Sequence, residues 1–106
     1  MVKRGEIWLV EWATPVPSQQ PVLRLCVVVS PTELNQHLQT VLVAPMSSAA
    51  QLAPFRVSLM HAGKRGVILL EQVQAIERSR LKTRVGALSN TTQSKALQVL
   101  QELFAE

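Results

Sequence analysis

Val22-Leu23-Arg24-Leu25-Cys26-Val27-Val28-Val29 is an apolar run rich in β-branched residues, with one charge in it. β-branched side chains favour the extended backbone, so the run reads as a buried strand. Just upstream, Thr14-Pro15-Val16-Pro17-Ser18-Gln19-Gln20-Pro21 is dense in proline, which denies backbone donors and stops regular structure. That stretch is a long polar loop, of the kind that often carries function. Before it, Glu6 to Trp12 mixes alternation with a short apolar run, as in another strand.

Downstream, Ser30-Pro31-Thr32-Glu33 has the form of a helix start, with Ser30 as cap, Pro31 at the first position and Glu33 reaching back. The helix must be short, because Thr40 to Ala44 is β-like again. Pro45 to Pro54 reads as a loop. Phe55 to Leu59 alternates strictly, with Arg56 and Ser58 outward. His61 to Gly66 is a turn before Val67 to Leu70. Val73 to Ile76 continues or leaves the sheet, and Lys82 to Leu88 is a further strand. Asn90 with Gln93 suggests a capping box, and Ala96, Leu97, Leu100, Leu103 and Phe104 share one helical face. The expected fold is mainly β: a small barrel-like sheet with a C-terminal helix, in one domain spanning residues 1–106.

Composition narrows the chemistry. Eleven Lys and Arg face seven acids, a net charge of +4. All the acids are Glu, so an Asp nucleophile or Asp-built metal site is excluded within one chain. The single cysteine, Cys26, cannot form an internal disulfide and reads as a small buried hydrophobe. His37 and His61 match no metal spacing, and no cofactor is implied. No apolar run is long enough to span a membrane, and no signal peptide is evident, so the expected location is cytoplasmic.

Three features stand out. Arg24 in mid-strand is costly to bury unless paired. Either it points outward or bonds Glu6, Glu11 or Glu71, or it is a fixed cation under the proline-rich loop, aimed at a phosphate. Met46-Ser47-Ser48-Ala49 follows a strand, where serines commonly shape turns. Arg78, Arg80, Lys82 and Arg84 recur at period two, as a solvated basic edge or as a stripe that tracks phosphates. Trp8 and Trp12 share a strand face, which suits core or dimer contact better than base stacking.

Several segments in order resemble the MazF/PemK (Kid) family of toxin ribonucleases. They are Lys3-Arg4-Gly5-Glu6-Ile7-Trp8, the Gln19-Gln20-Pro21 to Ser30-Pro31 stretch, Asn35, Val43-Ala44-Pro45-Met46-Ser47-Ser48, Pro54-Phe55-Arg56-Val57-Ser58-Leu59, Gly66 to Gln72, and Ile76 to Leu81. The likeness spans nearly the whole chain. It implies an SH3-like β-barrel with a C-terminal helix, a homodimer, and metal-independent cleavage of single-stranded RNA. It puts Arg24 at the family's catalytic arginine and Ser47 at its catalytic threonine. Glu71 falls at an acidic position, as the candidate base or as a partner holding a cation in place. Gln19, Gln20, Ser48 and Gln72 are the expected RNA contacts. The resemblance also implies a cognate acidic antitoxin. Gln19, Pro21, Leu25 and Ser47 depart from the family pattern. A non-cleaving binding module on the same barrel is the alternative, either a gyrase inhibitor like the CcdB toxins or a degenerate member that binds antitoxin or nucleic acid.

Overall fold

The computed structural model describes residues 1–12 and 22–105. Seven antiparallel strands form one curled sheet: β1 (Glu6–Trp12), β2 (Val22–Val28), β3 (Thr40–Ser47), β4 (Arg56–His61), β5 (Lys64–Leu69), β6 (Gln74–Glu77) and β7 (Leu81–Ala87). The hydrogen-bonded order is β4-β5-β3-β2-β1-β7, with β6 paired to β3. A short helix α1 (Thr32–His37) follows β2, and α2 (Asn90–Phe104) ends the chain.

Alternation along β2 explains the two-sided core. Val27 and Val29 pack with Ile7, Ala44, Met46, Ile68 and Leu70 under α2, where Ala96 is buried. Cys26 and Val28 face the other way, into a second cluster with Val10, Val41 and Val43. Trp8 and Trp12 pack against that second cluster, so they act as core contacts. Cys26 is buried, and desolvation pushes its thiol up to about 12 against the pull of the Arg24 charge, so it is an inert apolar filler.

The sheet is curled enough that its end strands meet through side chains. A Cβ at Gly86 on β7 would lie 3.1 Å from Cε1 of His61 on β4, a tight approach that would require the ring to shift. Gly5 is required for another reason. Its φ of +89° is left-handed, in a turn that sends its N–H to the Val28 carbonyl and its own carbonyl to the Leu88 N–H.

Local signals were misplaced where side chains found better partners. Ser30 does not cap α1: its hydroxyl bonds the Asn35 side chain and accepts from the Leu42 N–H, and Pro31 takes the cap position without a side-chain bond. Asn35 is buried, and its amide also donates to the Val2 and Ser30 carbonyls. Ser89, not Asn90, caps α2 by accepting from the Thr92 N–H at 3.2 Å. The docked face of α2 is Ala96, Val99 and Leu100, whereas Leu103 and Phe104 remain exposed. Pro45, Met46 and Ser47 belong to β3 rather than to a loop. The turn after β4 shrinks to Ala62-Gly63, both with positive φ, the geometry of a tight two-residue hairpin.

The period-two basic stripe does not form. Arg78–Arg80 is a 3-10 turn, which breaks the alternation. Its cations are also used internally. Arg78 donates to the Asn35 carbonyl and Arg80 to the Glu11 carbonyl, while Lys82 pairs with Glu11 and Arg84 with Glu6.

Candidate functional site

The site opens where two strands part. β2 and β3 pair through Val28↔Val43, Val27↔Ala44 and Cys26↔Pro45, and the ladder stops there. Pro45 has no N–H to carry it further. Continued by two residues, the register would set Arg24 opposite Ser47. Instead β3 is held on its other edge by β5, through Met46↔Ile68 and Ser47↔Val67. Between the separated strands lies a groove of about 630 Å³.

Arg24, Ser47 and Ser48 line this groove together. Arg24 is half-buried on β2, with its Cζ 5.0 Å from the centre of the Trp12 ring. Among the described residues no carboxylate pairs with it. The acids within its expected reach are engaged elsewhere: Glu6 by Arg84 at 2.7 Å, Glu11 by Lys82 at 3.0 Å and Glu71 by Arg56 at 2.6 Å. The Ser47 Oγ accepts from the Ala49 N–H at 3.2 Å. One lone pair is thereby fixed, and the hydroxyl hydrogen stays available to donate.

The rest of the lining includes His61, Lys64 and Arg65 from the β4–β5 hairpin and, among the described residues, no carboxylate. The groove is therefore an electropositive slot with a hydroxyl donor, suited to a phosphodiester. The sequence reading missed these hairpin residues because it placed them in a turn. The alternation Val57, Leu59, His61 was the available signal that β4 runs on.

Glu71 is not brought to the groove. It sits on a 3-10 turn (Leu70–Gln72), where Arg56 donates to its Oε2 from Nε at 3.0 Å and Nη2 at 2.6 Å. Those hydrogen bonds hold its carboxyl below the usual range, with a smaller opposing effect of desolvation. A carboxylate so held is a weaker proton acceptor. Gln72, exposed beside it on the same turn, does not line the groove either. Gln19 and Gln20 lie outside the described residues, as does the expected proline-rich loop.

Residues 3–104 match the family of PemK-like, MazF-like toxins of type II toxin–antitoxin systems. The chain is a MazF/PemK-family toxin. Its relatives include the endoribonuclease MazF of Staphylococcus epidermidis, 30% identical over 105 residues that cover 93% of this toxin and 85% of that protein. Another is the endoribonuclease EndoA of Bacillus subtilis, 28% identical over 107 residues, covering 95% and 92%. A MazE–MazF structure from Deinococcus radiodurans superposes with a TM-score of 0.82 at 22% identity, covering 96% of the toxin and 94% of that chain. An endoribonuclease with its cognate antitoxin, from a mycobacterial species, also gives 0.82, at 14% identity with 96% and 93% covered. Those structures show that the toxin has the MazF fold. No helix among its described residues is long and apolar enough to cross a membrane.

Proposed function

We propose that this toxin is an endoribonuclease that cuts single-stranded RNA at selected sequences by metal-independent transesterification. The observation that carries the proposal is that a guanidinium and a hydroxyl donor, Arg24 and Ser47, line one groove with Lys64 and Arg65 and, among the described residues, no carboxylate. In RNA the 2′-OH can attack the adjacent phosphorus. The 2′-OH proton passes to solvent as the 2′-O–P bond forms, the P–O5′ bond breaks with O5′ taking a proton from solvent, and negative charge gathers on the phosphoryl oxygens. Donors fixed in advance stabilise that charge. Arg24 supplies a planar pair of N–H groups and Ser47 an O–H, while Ser48, Lys64 and Arg65 hold neighbouring phosphates. The products are a 2′,3′-cyclic phosphate and a 5′-OH.

Glu71 is assigned to holding Arg56 rather than to proton abstraction. Gln19, Gln20 and Gln72 stand as proposed RNA contacts. The net charge of +4 favours RNA through counterion release, so binding should weaken steeply with salt. It also favours an acidic antitoxin segment seated in the same groove. A cytoplasmic homodimer, which would supplement a core of this size, completes the proposal.

The test is incubation of the purified protein with mixed-sequence RNA in EDTA, followed by sequencing of new 5′ ends. Cuts at a short motif that vanish with Arg24→Ala support the proposal. Cuts that appear only when a divalent metal is restored contradict the metal-independent route. RNA that is bound but uncut supports a binding module instead.

A further inference from the structure

Arg24 has a partner that keeps its charge available. Register places Trp12 opposite Val22 and Val10 opposite Arg24. Trp12 and Arg24 are therefore diagonal neighbours on one face, a spacing that long and aromatic side chains can bridge. The guanidinium carbon lies 5.0 Å from the indole centre, within cation–π range. Glu11, next to Trp12 in sequence, pairs with Lys82 and leaves the ring as the described contact of the cation.

We propose that Trp12 is a positioning residue that orients Arg24 for the phosphate. This rests on the role assigned to Arg24 above. The choice of an aromatic partner has a chemical consequence. A carboxylate would occupy guanidinium N–H groups and cancel the charge that the transition state needs. An indole face attracts the cation through its quadrupole without neutralising it. It also restricts a side chain that would otherwise sample many rotamers. Trp12 thus confines Arg24 and leaves its donors free for a phosphate.

The test replaces Trp12 site-specifically with mono-, di- and trifluorotryptophan, which weaken the ring quadrupole while closely preserving shape. Cleavage of a defined RNA is followed for each, with Tm as the folding control. The proposal predicts kcat falling stepwise with fluorine number, within the roughly 2- to 30-fold range of a cation–π contact, while KM and Tm hold. Trp12→Phe should retain more kcat than Trp12→Leu. A flat series alongside an inactive Arg24→Ala protein overturns the role of Trp12 and leaves that of Arg24 standing. An Arg24→Ala protein that cleaves like the parent overturns both.

Discussion

Two arginines on strands of this toxin sit over aromatic rings, and their surroundings divide them. Arg56 on β4 lies 5.4 Å from the Phe55 ring centre, is gripped by Glu71 at 2.6 Å and donates to the Gln51 carbonyl at 2.9 Å. Arg24 on β2 lies 5.0 Å from the Trp12 ring centre, with no carboxylate among the described residues and a groove in front of it. The first arrangement fixes a segment of chain. The second leaves charge available for an anion. The residue type is the same, and the placement of acids decides what each does.

The largest expected contrast is in activity. Arg24→Ala should lower RNA cleavage by about 100- to 1000-fold, the usual cost of removing a transition-state donor. Arg56→Ala should leave the cleavage rate nearly unchanged in the same gel assay. Comparable losses in both would erase the distinction between them.

Ser47→Ala should cost about 10- to 150-fold, the range for a neutral donor to a charged acceptor. Ser47→Thr keeps the hydroxyl and should keep or raise the rate. Equal rates for all three proteins would remove Ser47 from the chemistry. A smaller effect is expected at Glu71. Glu71→Gln should reduce cleavage by less than roughly tenfold, whereas a general base contributes about 100- to 10,000-fold.

The same comparison extends to pH and to the hairpin. Burial alone would raise the Glu6 carboxyl, but hydrogen bonds from the Lys3 N–H, Trp8 and Arg84 outweigh it, so its pKa lies below the ordinary 4.5. A depressed carboxylate stabilises the fold above about 4.5, and that stability is lost as pH falls through the folded value. Tm measured from neutrality into acid should therefore fall less steeply for Glu6→Gln than for the parent. An unchanged slope would remove Glu6 from the acid response. Smallest of all, Ala62 has φ +53°, a left-handed conformation that disfavours a Cβ. Ala62→Gly should add about 0.5–1 kcal/mol of stability by denaturant titration, the strain relieved less the entropy of glycine. A loss of stability would mean that the turn tolerates alanine.

Much of this was legible in the chain. Alternation located most strands, and a lone charge in an apolar strand singled out Arg24. The Met46-Ser47-Ser48 stretch stood out too, but Ser47 took a catalytic role only through the family resemblance, since a serine after a strand more often shapes a turn. What escaped depended on contacts distant in sequence. The proline at 45 read as a stop, yet β3 passes through it because β5 supports the other edge. Arg56 and Glu71 are fifteen residues apart and meet only because β4 and β5 pair across the hairpin. His61 reaches the groove because the sheet curls until β4 meets Gly86 on β7. The basic run at 78–84 has period two in sequence but not in space, since a 3-10 turn interrupts it.

The claim beneath all of this is that the Arg24 guanidinium and the Ser47 hydroxyl act on one phosphate in one transition state. A double-mutant cycle on single-turnover cleavage measures it, with Arg24→Ala, Ser47→Ala and both together. Groups acting as a unit are strongly non-additive, so the double variant should be hardly slower than Arg24→Ala alone. Losses that multiply in full would show two independent roles and contradict the account.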